Sequence, residues 1–273
     1  MKQQARQLTA EVISIGDEMT SGARLDTNAQ WLSRRLGELG IKVIFHSTVG
    51  DTLEQNIDVL RIAAERADIL VSTGGLGPTR DDLTREALSK LVDQPLEMNP
   101  SAMHHIEQMF SRRNRDMPER NRVQAMFPHG SQQIFNPQGT APGIDMMIAR
   151  KCTTQSRVFA LPGVPAEMKR MFDETVAPRI LETTGGGSEI KQHVMKFFGT
   201  GESDMENRLG PMIARDREPR VGITVSTATI SLRITATGKD ANDCQSQIDQ
   251  TRAEIMARVP EFYFGEGERY EQY

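Results

Sequence analysis

The stretch Ile69-Leu70-Val71-Ser72-Thr73-Gly74-Gly75-Leu76-Gly77-Pro78-Thr79-Arg80-Asp81-Asp82-Leu83-Thr84 decides how this chain is read. Its apolar start suits a central parallel strand, buried on both faces. The strand runs into a turn whose glycines, Gly74, Gly75 and Gly77, can take positive φ and carry no Cβ to obstruct a phosphate. Asp81 or Asp82 can cap the helix that follows, with Leu83, Ala87, Leu88 and Leu91 as its apolar face. Free N–H groups at such a helix start attract anions, so the amides around Gly74 to Thr79 are expected to hold a phosphate. Carboxylates beside a phosphate point to a bridging divalent metal or to a general base. Two common nucleotide motifs are excluded. Arg80 stands where the dinucleotide fingerprint needs its last glycine, and no Gly-x-x-x-x-Gly-Lys-Ser/Thr occurs in the 273 residues.

The flanking sequence repeats strand and helix. Leu8 to Ile15 reads as a first strand, with Asp17 and Glu18 just past its carboxyl end, where open α/β sheets bind ligands. Asp26-Thr27-Asn28 caps a helix reaching about Gly40, with Trp31 in the core. Lys42 to Val49 is a second strand, and Asp51-x-x-Glu54 forms a capping box for a helix to about Arg66. Asp68 to Ser72 is the third strand. This alternation predicts right-handed crossovers and a mostly parallel sheet. Asn99 to about Arg113 reads as a helix, followed by the basic cluster Arg112, Arg113, Arg115, Arg120 and Arg122, which is either a solvated face or a source of phosphate contacts. His104 and His105 read as surface residues. Ile144 to Ala149 and Val158 to Leu161 are further strands, and Pro165 opens a helix with Glu167 in its first turn.

Thr183 to Ser188, with three consecutive glycines, reads as a linker. Beyond it, Ile190 to Phe198 is a strand and Ser203-x-x-Glu206 boxes a helix through about Ala214. Val221 to Ser226 and Thr229 to Thr237 form a hairpin, and Asp240 to Val259 is a long helix. These elements make a small α+β sandwich. It contains no basic Gly-x-x-Gly between paired helices, so nucleic acid is not the expected partner.

Three further stretches accompany the glycine turn: Gly16-Asp17-Glu18 with Asp26-Thr27-Asn28, Asn136-x-x-Gly139-Thr140-Ala141-Pro142-Gly143, and Leu161-Pro162-Gly163-Val164-Pro165-x-Glu167-Met168. Together with Phe198-Gly199-x-Gly201-Glu202-Ser203-Asp204, they make the chain resemble, over almost its whole length, the CinA family within the molybdopterin-binding superfamily. The resemblance implies a three-layer molybdopterin-binding-like α/β domain over 1–182 and a KH-like α+β domain over 188–265, an interface module of a homodimer. It also implies hydrolysis of ADP-ribose to AMP and ribose 5-phosphate, with a divalent metal (Mg, Mn or Co) and K as a further ion. Many relatives continue into an amidohydrolase domain, of which the chain carries nothing.

Asp17, Asp81 and Asp82 are the candidate catalytic acids, with Asp81 and Asp82 as metal ligands. The candidate substrate residues are Glu18, Asn28, Thr73, Gly74, Gly75, Gly77, Thr79, Thr84, Asn136, Gly139, Thr140, Pro162, Gly163 and Glu167. Thr73 and Thr84 are expected to offer hydroxyls to phosphate or metal, and Asp82→Ala to abolish turnover with the fold intact. Two other functions share these motifs: a molybdopterin adenylyltransferase, and a non-catalytic nucleotide-binding scaffold linked to NAD metabolism or competence.

Composition sets the remaining bounds. Hydrophobic residues make up 37% and charged residues 26%, ordinary for a globular chain. A net charge of −4 argues against broad nucleic-acid binding. The two cysteines, Cys152 and Cys244, lack metal-ligand spacing and read as free thiols in a reducing compartment. The polar start Met1 to Gln7 shows no secretory h-region, and no long apolar run predicts a membrane span. The expected location is the cytoplasm.

Overall fold

In the computed structural model, the described residues are 8–151, 154–183, 189–214, 217–226 and 228–267. They form two compact units, one of residues 8–37 and 41–183 and the other of 38–40 and 189–267. The start Met1 to Gln7, Cys152 and most of the glycine linker lie outside the described residues.

The first unit is built on a six-stranded sheet. Its strands are β1 (Thr9–Ile15), β2 (Lys42–Val49), β3 (Ile69–Thr73), β6 (Gln132–Ile134), β7 (Gly143–Ala149) and β8 (Gln155–Leu161), in the order β2-β1-β3-β8-β7-β6. The first four strands in that order run parallel, and β7 and β6 add antiparallel neighbours at one edge. Every residue of β3 is buried, as expected of a central strand covered on both faces. Ile13, Leu70 and Val158 face a core shared with α3 (Leu53–Arg66), α4 (Thr84–Val92) and α5 (Pro100–Ser111), through Leu60, Leu88 and Ile106. Side chains alternate along strands, so Val12, Val71 and Phe159 face the opposite layer. There α2 (Thr27–Glu38), which follows the single turn α1 (Asp17–Thr20), meets the helix opening at α6 (Pro165–Met171). Trp31 packs edge-on to Phe172 at 5.6 Å, and Arg35 pairs with Asp173 at 2.8 Å. A π-turn at Phe172–Val176 joins α6 to α7 (Ala177–Thr183). A separate ribbon, β4 (Leu96–Met98) with β5 (Met126–Pro128), was not foreseen in the sequence.

Three local expectations are corrected. Asp51 does not box its helix: Thr52 is the N-cap of α3, with no side-chain cap bond. Neither Asp81 nor Asp82 caps α4, whose N-cap is Leu83. His105 is half-buried rather than a plain surface residue. It donates to Asn136 O at 2.9 Å and packs on Phe135.

The second unit is a four-stranded antiparallel sheet with strands β9 (Glu189–Phe198), β10 (Arg220–Ser226), β11 (Thr229–Gly238) and β12 (Tyr263–Glu266), in the order β10-β11-β9-β12. α8 (Glu202–Leu209) and α9 (Ala241–Arg258) cover one face through Met205, Leu209, Cys244, Ile248 and Ile255. Asp240 caps α9 by accepting from Asn242 N and Asp243 N. Ser203 caps nothing: α8 begins after Gly201, and Thr200 instead donates to Asp204. The edge strand β12 is an addition to the expected elements. Among the described residues, no helix is long and apolar enough to cross a membrane.

Candidate active site

The carboxyl ends of β1, β3 and β8 lie side by side and open into one cleft of about 630 Å³. The backbone itself closes the floor. Gly74 N donates to Leu161 O at 3.0 Å, and Gly74 sits at φ +109°, where an added Cβ would stand 2.1 Å from Ile15 O. Only glycine allows strand ends this close. Thr73 Oγ1 adds a bond to Pro162 O at 3.0 Å and accepts from Asn28 Nδ2, which also donates to Gly163 O at 2.9 Å. Thr73 and Asn28 therefore tie the ends of the strands together.

The turn after β3 is held from within. Asp82 Oδ1 accepts from Gly77 N at 2.7 Å, and Asp82 Oδ2 accepts from Thr79 N at 2.8 Å and from the Thr79 hydroxyl at 2.5 Å. This arrangement corrects the expected phosphate cradle, because the Gly77 and Thr79 amides already face a carboxylate. Gly75 N and Leu76 N donate to no group among the described residues. Gly77 has no positive φ; its value is space, since a Cβ there would stand 2.4 Å from Asp82 Oδ2. Thr84 is buried, with its hydroxyl donated to Gly74 O at 2.9 Å, so it offers nothing to phosphate or metal.

The acids at the ends of β1 and β2 divide in the same way. Asp17 and Asp51 exchange backbone bonds: Asp51 N donates to Asp17 Oδ1 at 3.0 Å, and Asp17 N to Asp51 Oδ2 at 2.9 Å. The Asp17 side chain lies against Gly50 and does not line the cleft. Asp51 does line it, with Glu18 and Asp81. Burial raises the pKa of Asp51 above the usual carboxylate value, and the like charges of Asp17, Glu18 and Asp81 push the same way against the bond from Asp17 N. The site residue that sequence reasoning missed is thus Asp51, hidden behind its resemblance to a helix cap. Arg24 was missed as well. It lines the cleft beside the exposed Leu25, whereas none of the five arginines between 112 and 122 does.

The facing wall comes from two loops. Asn136 is fully buried and folds the loop around itself: its Oδ1 accepts from Gln138 N and Gly139 N, and its Nδ2 donates to Ala141 O and to Glu167 Oε2 at 2.7 Å. Asn136 and Gly139 stand behind the surface, where a Cβ on Gly139 would strike the Glu167 carboxylate at 2.2 Å. Thr140, Gly163 and Glu167 reach the cleft, as does the buried Gln124. Pro162, Gly74, Gly75, Gly77 and Thr79 also line it.

Among the described residues, no three His, Cys, Asp or Glu side chains form a ready-made metal cage. The acids that line the cleft, Glu18, Asp51 and Asp81, offer hard oxygens, a fit for an ion of the magnesium type, which takes one or two carboxylates and completes its shell with water and substrate phosphate.

Comparison with known proteins agrees with this architecture. The family described as "probable molybdopterin binding domain" matches residues 11–182, and the damage-inducible protein CinA KH domain matches 192–265. A protein of Bacillus velezensis and one of Bacillus subtilis strain 168, both provisionally named competence-damage inducible protein, are each 38% identical over 257 residues. The match covers 94% of this chain but only 60% of each relative. A crystal structure of the CinA protein of Thermoplasma acidophilum, described as of unknown function, is 32% identical with a TM-score of 0.55, covering 64% of this chain and 96% of its own.

Proposed function

This chain belongs to the CinA family of competence/damage-inducible proteins, with a molybdopterin-binding-like domain, and from that premise we propose that it hydrolyses the pyrophosphate bond of ADP-ribose to AMP and ribose 5-phosphate with a divalent cation. The observation that carries the proposal is that Glu18, Asp51 and Asp81 line one cleft beside a turn with two amides, Gly75 N and Leu76 N, that have no partner among the described residues. Carboxylates repel phosphates, so a cleft presenting both groups is suited to a nucleotide that arrives with a cation. The cation, Mg²⁺, Mn²⁺ or Co²⁺, would supply charge neutralisation and lower the pKa of a water, with K⁺ as a further ion.

The chain's own residues do the rest. Gly75 and Leu76 amides and the Arg24 guanidinium bind phosphate oxygens. Glu18 and Asp81 would hold the ion, with Asp51 beside them. Asp51 Oδ1, the oxygen not bonded to Asp17 N, takes the proton of the attacking water. Glu167 Oε1, opposite, accepts from substrate hydroxyls. The test is AMP formation from ADP-ribose with each of the three cations, with and without K⁺. AMP formed only with a cation supports the reading; no AMP under any of these conditions defeats it.

The engagement of Asp17 and Asp82 within the fold favours a second reading, a binding scaffold without turnover, since two of the three acids expected to be catalytic have structural partners. Tight nucleotide binding with no product over long incubation would select it. Homodimerisation through the second unit is part of the proposal, supported by Phe198 and Phe264, both more than half exposed on the neighbouring strands β9 and β12. Sedimentation of the parent beside Phe198→Ser tests it; a monomeric parent would refute it.

A further inference from the structure

We infer that Arg85 is a positioning residue for anion recognition: from beneath the glycine turn it fixes the Leu76–Gly77 peptide and supplies the positive charge toward which a substrate phosphate is drawn. The inference rests on the nucleotide reading of the cleft and assigns a role to a residue that does not line it. Arg85 is the second residue of α4 and only 2% exposed. Its Nη1 donates to Gly77 O at 3.2 Å and its Nη2 to Leu76 O. Its Nε is buried without a partner among the described residues. Among the described residues, no carboxylate accepts a hydrogen bond from it. Asp82 acts on it only through space, and burial outweighs that attraction, pushing its pKa down to about 10. It is still a cation at neutral pH.

A trans peptide points its C=O and N–H to opposite sides. Arg85 holds the Leu76 carbonyl on one side of the Leu76–Gly77 peptide, and Asp82 holds the Gly77 N–H on the other. The peptide is gripped at both ends, which fixes the turn before any ligand arrives. A buried cation with no hydrogen-bonded anion is costly to the fold. A phosphate on the Gly75 and Leu76 amides offsets that cost, so the charge beneath the turn favours anions above it.

The experiment titrates the parent, Arg85→Lys and Arg85→Gln with AMP and with adenosine by calorimetry, and measures the Tm of each unliganded protein. The parent is expected to prefer AMP. Arg85→Gln is expected to weaken AMP about 10-fold or more and leave adenosine unchanged. Arg85→Lys keeps the charge but cannot fork across both carbonyls, so its AMP affinity is expected to fall in between. An AMP preference kept in Arg85→Gln overturns this inference and leaves the nucleotide reading standing. A parent without any preference for AMP overturns both. Equal weakening of both ligands together with a lowered Tm makes Arg85 a packing residue and overturns the inference. If Arg85→Gln does not fold, parental AMP affinity in Arg85→Lys overturns it as well.

Discussion

Two glycine-containing loops contribute to one cleft, and each has a carboxylate pressed against a glycine. Asp82 lies against Gly77 in the turn after β3, and Glu167 lies against Gly139 in the loop before β7. Their engagement differs. Both oxygens of Asp82 accept donors from its own turn. Glu167 takes one bond, from Asn136 Nδ2 on Oε2, and its Oε1 has no partner among the described residues. Both side chains line the cleft, but only one presents an acceptor to it. Position in a cleft therefore does not measure availability; accounting for every donor and acceptor does. Asp17 and Asp51, at the ends of β1 and β2, are engaged alike, one oxygen of each accepting from the other's backbone N–H, and differ in that Asp51 alone lines the cleft.

The largest effect is expected at Asp51. Asp51→Asn keeps an oxygen for Asp17 N and removes the charge, so turnover on ADP-ribose should fall about 10²- to 10⁴-fold. Stability should move the other way. A carboxyl whose folded pKa is raised contributes stability that is fully present below its unfolded value, near 3.8, and lost as pH rises through the folded one. At pH 7.5 the variant should melt no lower than the parent, and its relative advantage should shrink as pH falls toward 4. An equal deficit at every pH would show that the crowding costs nothing.

The two loops then predict opposite results for one isosteric change. Asp82→Asn places an amide NH₂ against an N–H of its own turn and should cost about 2–3 kcal/mol, lowering Tm by roughly 4–10 °C. Glu167→Gln can still accept from Asn136 and should leave Tm unchanged, while weakening nucleotide binding. Thermal melts of the pair would undo the comparison if the two variants behaved alike. The smallest effect is expected at Thr84. Thr84→Val removes one buried hydroxyl from Gly74 O and should cost about 1 kcal/mol, without altering AMP release beyond the change in folded fraction.

Much of the fold was legible because its signals are local and strong. The buried run at β3, the long helix that begins at Asp240 and the alternating hairpin of β10 and β11 each come from patterns that survive in any tertiary setting. Short edge elements were not legible. β12 has four residues and takes its order from pairing with β9, and the ribbon of β4 and β5 is equally brief. At the site, the glycines and Asp81 could be read from the motif, but the roles of its acids could not. An aspartate before a helix looks the same in sequence whether it caps, staples a turn or faces the solvent. Asp51 departs from that appearance through a donor of another segment, Asp17 N, and Asp82 through donors of its own turn, Gly77 N and Thr79 N. Arg85, charged and beside a polar run, carries no sequence signal of burial.

The adjacent aspartates show one division of labour: Asp81 faces the cleft and Asp82 holds the turn. Its most direct test measures AMP release from ADP-ribose with Mg²⁺ by the parent, Asp81→Asn and Asp82→Asn, each beside its Tm. Asp81→Asn is expected to lose about 10²-fold or more in turnover at the parent's Tm, and Asp82→Asn to melt lower. Parental turnover in Asp81→Asn, with turnover abolished in an Asp82→Asn variant of unchanged Tm, would contradict it.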